Sequence, residues 1–146
     1  MTTAVKEMRH CSCALLVRKG RLLLGRRSPA KRFYPGVWDL IGGHARPGET
    51  PEAALLREVE EEIGSIPTEF SLVLTVPEPN PDTHGPGVYH VFLVRRWSGR
   101  EPYLRNAEHV ELEWFTPREA RGLNLADPFY LELFGMLEPS IDLVGK

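Results

Sequence analysis

A chain of 146 residues has room for one domain with a sizeable core and too little for two ordinary ones, so a single domain over residues 1–146 is expected. With 42% hydrophobic and 26% charged residues it is neither disordered nor membrane-embedded in composition, and no apolar run approaches the roughly 18 residues of a membrane span, which points to the cytoplasm. A formal charge of -2 and a pI near 6.2 speak against a binder of nucleic-acid polymers, although Arg18, Lys19, Arg21, Arg26, Arg27, Lys31 and Arg32 form a locally basic stretch suited to an anion.

Residues 14–17 and 21–24 read as two strands joined by a turn at Lys19-Gly20. Cys11 and Cys13, the only cysteines, point to the same face of the first strand, so thiols are expected rather than a disulfide or a zinc site. Arg26 and Arg27 end the second strand and cannot both face one side of it. Residues 28–36 form a basic, proline-bearing loop, and residues 37–41 a short strand that delivers the chain to Gly42-Gly43.

A helix follows. Thr50 is its N-cap, Pro51 takes the first helical position where a missing N–H costs nothing, and Gly64 suits a left-handed C-terminal cap. Leu55, Leu56, Val59 and Ile63 form its apolar stripe. Residues 69–76 and 88–97 read as strands separated by a Pro- and Gly-rich loop, residues 110–115 as another strand, and Thr116-Pro117 as the start of a short helix. Residues 128–136 carry a last helical pattern. The fold class is α/β, a mixed sheet flanked by helices.

The acids of the central helix carry the chemistry. At about 100° per residue Glu58, Glu61 and Glu62 share one flank while Glu60 points away. A merely solvated face would leave like charges at i,i+3 and i,i+4 repelling by a few tenths of a kcal/mol each, with only Arg57 to offset them. A hard divalent cation, Mg²⁺ or Mn²⁺, removes that conflict and also bridges phosphate oxygens.

The segment from Gly43 to Ser65 fits the pattern G-x5-E-x7-R-E-U-x-E-E-x-G-U, with U a bulky apolar residue, through Gly43, Glu49, Arg57, Glu58, Val59, Glu61, Glu62 and Gly64. Its seven fixed letters match by accident at roughly 10⁻⁸ per starting position. In this the chain resembles the Nudix hydrolases, with one departure, Ser65 at the closing apolar position.

The resemblance implies an α/β/α sandwich and metal-assisted attack of water on a nucleoside diphosphate joined to a further group. It implies metal ligation by Glu58, Glu61, Glu62 and the Gly42 carbonyl, with Glu108 as a distal acid that ligates metal or acts as base. Glu58 is the first candidate for general base, Arg57 orients an acid, and Glu49 braces the loop or reaches metal through water. Glu111 and Glu113 are expected to face solvent.

Arg27, Gly43 and Asp127 are candidate substrate contacts, and Phe33, Tyr34, Trp38, Tyr89, Phe115 and Asn124 supply aromatic and polar edges for a base. The implied partner is a small nucleotide bound by a monomer or homodimer, and the leading substrate is a nucleoside triphosphate, oxidised or not, cleaved as by MutT-type members to monophosphate and pyrophosphate. ADP-ribose, nucleotide sugars, dinucleoside polyphosphates and a catalytically silent binding module are the alternatives. His44 evokes the isopentenyl-diphosphate isomerases, whose box begins Cys-Gly-His, but Gly42 stands at the cysteine's place.

Overall fold

The computed structural model describes residues 8–32 and 35–144, with side chains through residue 137. β1 (Arg9–Arg18) and β2 (Arg21–Arg27) form the expected hairpin. Lys19 and Gly20 have φ of 52° and 75°, the left-handed pair that a two-residue turn between right-twisted strands requires.

The single strand expected over residues 37–41 is two strands instead, β3 (Trp38–Asp39) on β2 and β4 (Ile41–His44) on β1. The Asp39 carboxylate accepts the Leu40 N–H at 2.8 Å, which takes that amide out of the ladder and lets the chain change partners. α1 (Pro51–Ile63) starts and stops as its caps dictate: Thr50 accepts the Ala53 N–H, and Gly64 sits at φ 75°.

β5 (Ser65–Pro77) and β6 (Gly87–Gly99) run longer than their hydrophobic patterns suggest. Ser65 explains one end, because its buried hydroxyl donates to the Arg100 carbonyl at 2.7 Å and so satisfies a polar group at an apolar position. The loop between β5 and β6 contains a one-turn helix, α2 (Pro81–His84). β7 (His109–Phe115), α3 (Pro117–Arg121, with a Thr116/Glu119 capping box) and α4 (Phe129–Val144) complete the chain.

The sheet order is β3-β2-β1-β6-β5, with β4 added on β1 and β7 on β2. β1 and β6 are parallel and the other pairs antiparallel, so the sheet is mixed. Along β1 and β6 successive side chains alternate between two cores. Leu15, Val17, Val91 and Leu93 pack with Tyr130, Leu133 and Phe134 of α4, whereas Ala14, Leu16, Phe92 and Val94 pack with Leu55, Val59 and Ile63 of α1. Leu56, placed by periodicity on the same stripe, lies at its edge and is half-buried. The result is the expected α/β/α sandwich. Among the described residues no helix is long and apolar enough to cross a membrane.

Candidate active site

The strand switch at Leu40 opens a cleft of about 620 Å³ between the β4 end of the sheet, the flank of α1 and the start of α4. Glu58 and Glu62, one helical turn apart on α1, line it together with Gly42, Gly43, Glu108, Arg27, Lys31 and Asp127. The cleft therefore holds carboxylates beside cations, the former able to hold a metal and the latter able to hold phosphate.

The three helix acids do not share one environment. Glu62 is 4% exposed, Glu58 lies at the cleft wall with a 16% exposed side chain, and Glu61 stands outside the lining at 47%. Arg57 organises this flank. Its Nε and Nη2 take both oxygens of Glu49 at 2.7 and 2.8 Å, while Nη1 reaches Glu58 at 2.9 Å and Glu61 at 3.3 Å, and Nη2 also donates to the His44 carbonyl. Glu49 in turn accepts the Arg46 N–H at 2.7 Å, and the Arg57 hydrogen bonds hold its carboxyl down at about 2. The box loop is thereby stapled to the helix.

Glu62 approaches His109 of β7, with Oε1 3.9 Å from Nδ1, and Glu62 Oε2 and His109 Nε2 are buried with no hydrogen-bond partner among the described residues. Gly42 passes beside Glu62 with its backbone hydrogen-bonded to the carboxylate, at φ 152° and so close to β1 that a Cβ would stand 1.9 Å from the Ser12 carbonyl oxygen. Among the described residues no three His, Cys, Asp or Glu side chains form a ready-made metal cage. The donor set still fits a hard divalent ion, since it is all oxygen and includes a buried carboxylate oxygen with an unmet need.

Burial, reinforced by the charges of Glu58 and Glu108, pushes the Glu62 carboxyl from 4.5 up to about 9, and burial pushes the His109 imidazole from 6.5 down to about 4. Folded Glu62 keeps a proton that the unfolded chain releases above pH 4.5, so metal-free stability falls as pH rises from there towards 9. Asp39, whose burial raises its carboxyl, adds in the same direction. His109 lacks a proton that the unfolded chain binds below 6.5, so stability also falls as pH drops from 6.5 towards 4. The melting temperature of the metal-free protein is therefore expected to peak between about 4.5 and 6.5, where the slopes oppose. Thermal unfolding across this range checks it, and a melting temperature that climbs steadily above 6.5 contradicts it.

The two arginines at the end of β2 divide as strand geometry demands. Arg26 pairs outside the cleft with Glu111 at 2.6 Å, whereas Arg27, past a register shift against β7, lines the cleft and lies 3.6 Å from Asp39. Lys31 pairs with Glu108 at 2.8 Å, and although burial raises the Glu108 carboxyl, this hydrogen bond and the nearby cations hold it below its ordinary value. Elsewhere in the basic stretch Arg18 lies over the Trp97 and Trp114 rings and Arg21 pairs with Glu119. Glu111 and Glu113 are exposed, as expected.

Among the candidate base contacts, Asp127 and Tyr89 line the cleft, the latter donating to Glu78 at 2.8 Å. Trp38 and Phe115 do not line it: they pack edge to face at 5.0 Å against the α4-side core. Asn124 is also outside the lining, and its carbonyl accepts the Trp38 N–H. Phe33 and Tyr34 lie outside the described residues. Cys11 and Cys13 are free thiols on the cleft side of β1, and Cys11 Sγ sits 3.0 Å from His44 Nδ1.

Sequence reasoning passed over Asp39, Glu78, His109, Phe129 and Tyr130. Asp39 carried a signal, a lone charge inside Val-Trp-Asp-Leu-Ile that had to find partners indoors, and the Tyr130 hydroxyl and Arg27 are those partners. His109 carried none, because only the pairing of β7 with β2 brings it under α1.

The family model of the NUDIX domain matches residues 6–134. The nucleoside triphosphatase NudI of Klebsiella pneumoniae is 32% identical over 146 aligned positions, covering 89% of this chain and 100% of that protein. An isopentenyl-diphosphate Delta-isomerase of Brevibacterium linens is 33% identical over 144 positions, covering 89% of this chain and 76% of that one. The crystal structure of a MutT NUDIX hydrolase from Burkholderia pseudomallei superposes with a TM-score of 0.71 at 30% identity, covering 78% of this chain and 87% of that chain.

Proposed function

This chain belongs to the Nudix hydrolase superfamily, and from that premise we propose that it is a Mg²⁺- or Mn²⁺-dependent enzyme that splits a nucleoside triphosphate into monophosphate and pyrophosphate. The observation that carries the reading is the buried, unpartnered carboxylate oxygen of Glu62 in one cleft with Glu58, Glu108, Arg27 and Lys31. Glu58, Glu61, Glu62, Glu108 and the Gly42 carbonyl are the residues to hold the cation. When bound, the ion neutralises phosphate charge and makes water easier to deprotonate.

The chain's own groups supply the rest. Glu58 accepts the proton of the attacking water, held in aim by the Arg57 guanidinium. Arg27 and Lys31 grip the phosphates, Gly43 lets them approach the backbone beside Glu58, and Asp127 faces the nucleoside. Oxygen from water joins phosphorus, the anhydride bond breaks, and pyrophosphate leaves. The enzyme acts on a small nucleotide in the cytoplasm, as a monomer or homodimer.

The relation to an isomerase does not displace this reading, because Gly42 lacks the thiol that the isomerase box places there. Nor does a silent binding module, whose acids would be free to erode, whereas all of Glu58, Glu61 and Glu62 are present.

The test is chromatographic analysis of products after incubation with Mg²⁺ and a panel of nucleoside triphosphates, 8-oxo-dGTP, ADP-ribose, nucleotide sugars and dinucleoside polyphosphates. Monophosphate plus pyrophosphate from a triphosphate is the expected result. Cleavage confined to ADP-ribose, a sugar nucleotide or a dinucleoside polyphosphate overturns the substrate, and no turnover of any member overturns the enzymatic reading.

A further inference from the structure

We infer that His109 is a positioning residue that holds the Glu62 carboxylate at the cleft, and that Gly25 is small because the His109 ring needs its place. The inference rests on the reading of Glu62 as a metal ligand and deepens it. Both side chains are 3% exposed, and Nδ1 stands 3.9 Å from Oε1, so the imidazole and the carboxylate face each other in the interior. On its other side the carboxylate meets the Gly42 backbone. Among the described residues Oε2 and Nε2 have no hydrogen-bond partner, so this pair is buried with polar need unmet on both sides.

The ring is braced from the β2 side. A Cβ on Gly25 would stand 2.6 Å from His109 Cδ2 and 2.7 Å from Cγ, so the imidazole lies in contact with the bare backbone of β2. The adjoining backbone is pinned as well, since the Ser28 N–H donates to the Glu108 carbonyl at 3.2 Å just past the register shift. Nδ1 is the ring nitrogen turned toward Glu62, so a neutral imidazole protonated there would offer its donor to the carboxylate across 3.9 Å. Carboxylates that ligate metals are generally held by such partners, whose loss costs 10- to 100-fold in affinity.

The test is the affinity of the full chain for Mn²⁺ alone, measured from the electron paramagnetic resonance signal of free ion, with thermal unfolding as a control. His109→Phe keeps a ring of similar size against Gly25 without the Nδ1 donor, and is expected to weaken Mn²⁺ binding by about tenfold or more with little change in melting temperature. His109→Asn, whose amide nitrogen falls near the lost Nδ1, is expected to retain affinity within about threefold.

Parent-like Mn²⁺ affinity in His109→Phe overturns the inference, and so does a His109→Asn as weak as His109→Phe, which would reduce the role to packing. Should His109→Phe not fold, Gly25→Ala decides instead: displacing the ring must weaken Mn²⁺ binding several-fold, and an unchanged affinity overturns it. Glu62→Gln separates the two readings. If it leaves Mn²⁺ affinity intact, the metal-site reading itself fails; if it weakens binding while His109→Phe does not, only this inference fails.

Discussion

Replacing Glu58 with glutamine is expected to lower Mg²⁺-dependent hydrolysis by roughly 10²- to 10⁴-fold, the range over which a positioned base contributes. The substitution is close to isosteric, and the glutamine carbonyl can still accept the Arg57 Nη1–H that now lies 2.9 Å from Oε1, so the fold should be undisturbed. What is lost is negative charge at the cleft wall, and with it both the proposed cation ligand and the proposed acceptor for the proton of water. Glu60→Gln is the control, because Glu60 is exposed and points away from the cleft, and it should stay within a few-fold of the parent. Initial rates over a Mg²⁺ titration, with melting temperatures for each variant, make the comparison. Undiminished activity in Glu58→Gln would mean that the helix acids are not the catalytic centre.

A methyl group at Gly42 should be the most damaging small change in the chain. At φ 152° the backbone is in a region that L side chains rarely adopt, and the added Cβ would fall 1.9 Å from the Ser12 carbonyl oxygen and 2.9 Å from Cys13 Cα. These are main-chain atoms of a central strand, so no rotamer change relieves the clash. β4 would have to leave β1, whose register places Cys13 opposite Gly42. Strain and overpacking together are expected to cost about 3 kcal/mol or more. For a chain of this size that is a fall in melting temperature of more than roughly 6 °C. A Gly42→Ala protein that melts within 2 °C of the parent would show that the close approach of β4 to β1 is not as described. The same variant should lose activity even when folded, because the Gly42 backbone is bonded to Glu62.

Local rules carry far in this protein where the physics is local. Thr50, Pro51 and Gly64 bound α1 by satisfying or omitting backbone donors within a few residues, and the capping box of α3 is written into Thr116-Pro117-Arg118-Glu119. The hairpin at Lys19-Gly20 is equally self-contained. The spacing of Glu58, Glu61 and Glu62 places them on one flank because helical rotation depends on sequence separation alone. The same arithmetic assigns Arg26 and Arg27 to opposite sides of β2, without saying which side is the cleft.

Burial and strand partnership are not local, and there the sequence was silent. Glu58, Glu61 and Glu62 look alike on a helical wheel, yet their exposures differ because α1 rolls Glu62 into the sheet and leaves Glu61 in water. The strand over residues 37–41 could not be seen to divide, since the division depends on β1 and β2 each offering a free edge and on Asp39 capturing the Leu40 amide between them. Trp38 and Phe115 have the composition of a base platform and the position of a core.

The sequence by itself thus determined the box, its helix and the alternating strands, which are matters of periodicity and capping. Tertiary structure decided which acid is buried, which arginine faces the cleft and that His109 lies against Glu62. Those outcomes depend on residues far apart in the chain meeting in a low-dielectric interior, where the cost of an unpaired charge makes the choice.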